Sequence, residues 1–314
     1  MDAPRFELGF WPTPLQPLRR LGSELGIELW VKRDDLSGLA TGGNKVRKLE
    51  YLIGAALEEG ADCVVTGGAA QSNHSRQTAA AAAAAGLGCH LALGGEAPDR
   101  IDGNLLLDRI YGARLHWCGP DRKGERIPEI IEQLRAEGRR PYLIPYGGSD
   151  ETGALGFVRA AQELVEQSSS QGVEFGEVVF ASSSGGTHAG LIHGARRHGL
   201  TAHLRGMAID PDDPGKAPNV IRDLAARLGT SDAEVHLDEV SLFGGYGEPT
   251  EHEASAILRL ARTEGILLDP VYTGRAFAGL LHRAEEGSLT GPVLYWHTGG
   301  LPALFTGGAG AFLN

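Results

Sequence analysis

Apolar residues fall into short continuous runs separated by longer stretches in which they recur every three or four places. Runs at 28–32, 63–65, 89–93, 114–117 and 142–144 read as buried strands. The stretches between them, near 44–53, 77–85, 104–111 and 127–137, read as helices; the first continues through Leu49, Leu52 and Ile53 at helical spacing, and Gly86 stops the alanine-rich second. Prolines keep 10–14 extended, and 145–150 breaks the alternation as a crossing between domains. A second series has a helix over 153–166, a polar loop at 168–172, strands at 178–180, 204–209 and 293–296, and a helix over 275–282. The proline-rich stretch 211–218 reads as a surface loop without chemistry. Strands alternating with helices predict an α/β protein built on open, mostly parallel sheets. A length of 314 residues favours two domains over one core.

Composition narrows the partners. A net charge of −11 argues against nucleic acid or an anionic membrane surface, leaving a small molecule. The first residues lack a basic segment followed by an apolar run, and no stretch of about 18 apolar residues occurs, so a cytoplasmic protein is expected. Cys63, Cys89 and Cys118 show no CxxC spacing and are expected to be reduced and mostly buried. His188 and His193 are not spaced i, i+4 and no carboxylate accompanies them, so no metal site is expected.

Candidate chemistry gathers where strands give way to helices. Gly42-Gly43-Asn44-Lys45 places a lysine at a tight turn before a helix. The bland alternative is a surface lysine such as Lys32 or Lys48. Ser183-Ser184-Gly185-Gly186-Thr187 joins a strand to a helix, an arrangement that offers backbone N–H groups to a phosphate. An amine nucleophile and a phosphate cradle point to pyridoxal phosphate. A P-loop nucleotide hydrolase fails, because no G-x-x-x-x-G-K-[ST] string is present.

Several strings then act together: Lys32-Arg33-Asp34-Asp35, Gly-Gly-Asn-Lys at 42–45, Gln-Ser-Asn-His at 71–74 with Arg76-Gln77-Thr78, Gly-Gly-Thr-His-Ala-Gly at 185–190, Leu-Asp-Pro-Val-Tyr-Thr-Gly at 268–274 and His-Thr-Gly-Gly at 297–300. Jointly they resemble the D-cysteine desulfhydrase / 1-aminocyclopropane-1-carboxylate deaminase family over nearly the whole chain. The resemblance implies a tryptophan-synthase-β-like fold (fold type II), with 1–48 and 152–314 as the large domain and 49–151 as a small inserted one. It also implies a homodimer.

By position, the resemblance makes Lys45 the lysine that carries the cofactor and moves the substrate's α proton. Ser72 becomes the active-site serine and Asn73 the partner of the cofactor's ring oxygen, although both could merely cap the next helix. His74 is either a substrate contact or a structural histidine, and Gln77 falls in the same substrate-binding string. The cradle is Ser183, Ser184, Gly185, Gly186 and Thr187, and Tyr246 and Tyr272 match two pocket tyrosines. Members that open the cyclopropane ring carry a glutamate where this chain has Thr273 and a leucine where it has Thr298; both threonines are expected near the cofactor. The activity implied is β-elimination from D-cysteine to pyruvate, sulfide and ammonia. The alternatives are cyclopropane deamination, L-cysteate sulfo-lysis, or a non-catalytic pyridoxal-phosphate-binding protein, which retention of Lys45, Ser72 and both tyrosines disfavours.

Overall fold

Side chains alternate between the two faces of a strand, and here both faces are apolar, so each sheet must be covered on both sides. The computed structural model describes residues 3–210 and 217–307. In chain order the elements are β1 (Leu15–Pro17), α1 (Arg19–Leu25), β2 (Leu29–Arg33), α2 (Lys45–Glu58), β3 (Cys63–Ala69), α3 (Asn73–Ala84), β4 (Gly88–Gly94), α4 (Gly103–Ile110), β5 (Arg114–Trp117), α5 (Ile127–Ala136) and β6 (Pro141–Leu143). They continue with α6 (Glu151–Gln171), β7 (Glu177–Ser182), α7 (Gly186–His198), β8 (His203–Ala208), α8 (Ala217–Arg227), β9 (His236–Asp238), α9 (Glu251–Glu264), α10 (Thr273–Glu285) and β10 (Val293–His297).

Two sheets result, one six-stranded in the order β1-β2-β10-β7-β8-β9 and one four-stranded in the order β5-β4-β3-β6. Among the described strands only β1 and β2 pair antiparallel. In the larger sheet Val178, Phe180, Leu294 and Trp296 enter one core with Phe157 and Leu164 of α6, while Val179, Val293 and Tyr295 enter the other with Phe277 and Leu280 of α10. The smaller sheet divides likewise, Val64, Leu91 and Leu93 to one side and Cys63, Val65 and Ala92 to the other.

Three expectations are corrected. The polar 168–172 segment is not a loop: α6 runs on to Gln171, and its serine hydroxyls are satisfied within the helix, that of Ser168 donating to Leu164 O at 2.7 Å and that of Ser170 to Gln167 O at 2.9 Å. Gly172, at φ 67°, ends it. The 63–65 strand extends through Thr66, Gly67 and Gly68, and α3 begins at Asn73 rather than at 77. Of the proline-rich 211–218 stretch, 211–216 lies outside the described residues, while Ala217 and Pro218 already belong to α8.

Lys32 and Lys48 are not surface lysines. Both are fully buried. Lys32 pairs with Glu163, and Arg47 forks between Asp34 (Nη2 to Oδ1 2.8 Å, Nε to Oδ2 2.8 Å) and Glu163 (Nη1 to Oε2 3.0 Å). This network joins β2, α2 and α6, and the Asp34 carbonyl receives the Gly43 N–H at 2.8 Å, so it also seats the lysine turn. Arg47→Met would leave Asp34 uncompensated in the interior. The expected loss is about 3–5 kcal/mol of unfolding free energy by chemical denaturation.

Candidate active site

Loops at the carboxyl ends of parallel strands collect polar side chains, and here those from both sheets meet in one cleft. The ends of β7 and β10 supply Ser183, Ser184, Thr298 and Gly299, that of β3 supplies Ser72, Asn73 and His74, and that of β6 supplies Tyr146. Lys45 enters from the first residue of α2. Its turn is only possible with glycine: Gly42 has φ 74°, and a Cβ there would lie 1.9 Å from Asp35 O. The Lys45 amine has one weak partner among the described residues, Asn44 Oδ1 at 3.3 Å. Burial, then the charge of Arg76, pulls its ammonium down to about 8, against the opposing pull of Asp269.

Across the cleft, Gly185 takes a left-handed conformation and α7 starts at Gly186. The first turn of a helix leaves N–H groups without intrahelical acceptors. That of Gly186 is taken by Ser149 Oγ at 3.1 Å, and Ser149 Oγ meets Ser184 Oγ at 2.8 Å. Asn44 Nδ2 donates to Thr187 Oγ1 at 3.1 Å, which links the lysine turn to this loop. Lys48, one turn along α2 from Lys45, donates to Gly147 O (3.0 Å) and Ser149 Oγ (3.2 Å). A Cβ on Gly186 would come within 2.9 Å of its Nζ, so a buried amine, its ammonium held well below the usual lysine range by burial and the neighbouring Lys45, stands beside the start of α7.

Ser72 caps α3, its Oγ accepting the Ser75 N–H at 3.2 Å, and it also lines the cleft. Asn73 is the first residue of that helix and lines the cleft as well. His74 Nε2 bonds Thr66 Oγ1 at 2.9 Å, while its Nδ1 has no partner among the described residues. Burial, with the charges of Lys45 and Lys48, holds this imidazole well below its usual range, so it is neutral. Tyr272 lines the cleft and its hydroxyl is hydrogen-bonded to that of Tyr246, which sits one layer back. Burial raises both phenols, Tyr272 furthest.

Two residues stand elsewhere than expected. Gln77 is fully buried behind the lysine turn, its amide donating to Gly42 O at 2.9 Å. Thr273 does not line the cleft; its hydroxyl donates to Asp269 Oδ2 at 2.6 Å in the cap of α10. Thr298 does line it.

Sequence reasoning also passed over Asp269, Arg275, Arg76, Lys48, Ser149 and Tyr146. Asp269 accepts the N–H groups of Val271 (2.9 Å), Tyr272 (2.7 Å) and Thr273 (2.9 Å), which fixes Tyr272. Arg275, paired with Glu253 at 2.7 Å, donates to Gly245 O (3.0 Å) and Glu248 O (3.1 Å) and so clamps the loop that carries Tyr246. A signal was available: Arg76 and Arg275 are single charges inside otherwise small or apolar helical faces, and Lys48 lies at i+3 from Lys45.

A group carrying a phosphate and an aldehyde fits these residues. A phosphate would find a helix N-terminus, hydroxyls and the buried Lys48 amine, and an aldehyde would find an amine largely free of internal partners. Nδ1 of His74 and Nε2 of His188, both on cleft-lining residues, are buried polar atoms without a partner among the described residues.

Comparison with known proteins agrees. The family model described as "Pyridoxal-phosphate dependent enzyme" matches residues 6–299. A D-cysteine desulfhydrase of Yersinia enterocolitica is 44% identical over 96% of this chain and 95% of the relative. One of Klebsiella pneumoniae is 43% identical over the same shares. A solved structure described as an "ACC deaminase homologue" superposes with a TM-score of 0.89 at 43% identity, covering 97% of this chain and 94% of the other.

Proposed function

The chain belongs to the pyridoxal-phosphate-dependent enzymes, and from that premise we propose that it is a D-cysteine desulfhydrase. The observation that carries the proposal is one cleft in which Lys45, the 183–187 loop and Tyr272, backed by Tyr246, meet, in a chain so close to relatives of that name. When bound, the cofactor supplies an electron sink that lets Cα lose a proton and Cβ lose sulfur with its bonding pair. The chain does the rest. Lys45, with an ammonium brought down to about 8, is a usable base near neutral pH for the α proton. The phenols of Tyr272 and Tyr246 keep their protons under burial, so the pair can offer an O–H hydrogen bond to the departing sulfur. Ser72 and the start of α3 offer a hydroxyl and N–H groups to the substrate carboxylate. Water then converts the released three-carbon enamine to pyruvate and ammonia.

The structure superposing at 0.89 favours one second reading, deamination of the cyclopropane amino acid. Keto acid and sulfide assayed on D- and L-cysteine, cysteate, serine and the cyclopropane acid separate the two. D-cysteine should give the highest kcat/KM; a higher value for any other member of the panel would replace the assignment.

Gly186→Asp tests the phosphate end. Its Cβ would crowd Ser149 Oγ at 2.6 Å and bring negative charge to the α7 N-terminus. Affinity for pyridoxal phosphate should fall by about tenfold or more. A folded variant with wild-type affinity would remove the phosphate from this loop.

The two sheets support a division into 1–48 with 152–314 and 49–151. Three free, buried cysteines fit a reducing compartment, hence the cytoplasm, and no described helix is long and apolar enough to cross a membrane. Exposed Phe10, Ile110 and Phe305 offer apolar surface to a second copy in a homodimer.

A further inference from the structure

Arg76 is fully buried in α3, one turn after Asn73. Its Nη1 donates to Asn73 Oδ1 at 3.1 Å and to Asn104 Oδ1 at 2.8 Å, and its Nη2 donates to Gly42 O at 3.1 Å. Asn104 is held in turn: its N–H donates to Gln71 Oε1 at 2.8 Å and its Nδ2 to Gln71 O at 2.9 Å. That same Nδ2 also donates to Asn73 Oδ1 at 3.1 Å.

Two donors therefore converge on Asn73 Oδ1, and this assigns the amide. A flipped Asn73 would set its NH2 against two donor groups, in a place where buried polar atoms need complementary partners. The oxygen is committed inward, which leaves Nδ2 as the group available to the cleft that Asn73 lines. The bond to Gly42 O acts on the other side of the site. Gly42 immediately precedes the turn into Lys45, and its carbonyl is gripped by Arg76 and Gln77 together.

We propose that Arg76, supported by Asn104, is the positioning residue of this site, fixing Asn73 as a donor into the cleft and the turn that aims Lys45. The inference rests on the reading that Lys45 and Asn73 hold the cofactor, and it adds the group that orients both. The same guanidinium is, after burial, the cause that lowers the Lys45 ammonium. Arg76 thus acts in two separable ways, through its planar fork on Asn73 and Gly42 and through its charge on Lys45. Lysine would keep the charge and lose the fork.

The test uses cofactor-free full-length protein as wild type, Arg76→Lys and Arg76→Gln, with two readouts. One is the Kd for pyridoxal phosphate by fluorescence titration. The other is the pH midpoint at which Lys45 becomes reactive to an amine-acylating reagent, read by peptide mass. Wild type should show a Lys45 midpoint near 8. Arg76→Gln should move that midpoint up by about one unit and weaken cofactor binding by about tenfold. Arg76→Lys should leave the midpoint within about half a unit of wild type and weaken binding by a similar factor. Wild-type affinity in Arg76→Lys, or an unmoved midpoint in Arg76→Gln, overturns the proposal. Should Arg76→Gln fail to fold, Asn104→Ala replaces it: weaker binding with an unmoved midpoint supports the proposal, and wild-type affinity overturns it. Wild-type protein that does not take the cofactor on Lys45 would sink the cofactor reading together with this one. Normal wild-type binding with unaffected variants would sink this one alone.

Discussion

Lys45→Ala is expected to lose turnover of D-cysteine by on the order of 10³-fold or more and to release pyridoxal phosphate on dialysis. Both effects follow from the isolation of this amine. It has one long contact, to Asn44 Oδ1 at 3.3 Å, so most of its reactivity is left for a ligand. The neighbouring lysine on α2 cannot replace it. Lys48 is one turn on, but its Nζ is drawn to Gly147 O and Ser149 Oγ, beside the start of α7. Steady-state sulfide release and the near-ultraviolet absorbance of dialysed protein measure the two losses. An alanine variant within about tenfold of wild type would transfer the chemistry to another group.

How much of this was legible in the sequence depended on whether the signal was local. The lysine turn was legible because Gly42 and Gly43 permit a backbone that other residues strain to adopt, and the strand-to-helix turn at 183–187 because glycines and hydroxyls precede a helix. The parallel sheets were legible from uninterrupted apolar runs such as Val293–His297. The buried charges were not. Nothing in the order of residues says that Lys32 meets Glu163 across 131 positions, or that Arg275 meets Glu253 and the backbone of 245 and 248. Ser168 to Gln171 read as a loop because the alternative acceptor for a serine hydroxyl, a carbonyl one turn back, exists only once the helix has formed. Thr273 read as a cofactor ligand because its motif was right, while the Asp269 carboxylate that occupies its hydroxyl sits four residues before it.

D-cysteine should exceed the cyclopropane amino acid in kcat/KM by at least about 100-fold, a difference of roughly 2.7 kcal/mol in transition-state stabilisation. The reason is the electrostatic character of the cleft wall. None of the described residues that line it is a carboxylate, and the neutral hydroxyl of Thr298 stands on it. The nearby Asp269 is committed, its oxygens accepting from Val271, Tyr272 and Thr273. No described residue of this wall would hold a cofactor ring nitrogen firmly protonated. Loss of a thiol from D-cysteine needs little such help, since an α proton can be removed by Lys45 and sulfur leaves readily. The cyclopropane acid has no α proton, and its leaving group is carbon. Thr298→Leu would place in this cleft the residue found in ring-opening members, yet without a carboxylate it should not restore ring opening. Steady-state kinetics on both substrates check the ratio, and parity would contradict it.

The most direct measurement is reduction of the cofactor-loaded protein with borohydride, followed by digestion and peptide mass analysis. The expected result is one modified peptide, with pyridoxyl phosphate fixed to Lys45 and none on Lys32 or Lys48. A label on any other lysine, or no covalent label in protein that binds pyridoxal phosphate, would contradict the assignment of Lys45 as the centre of this site.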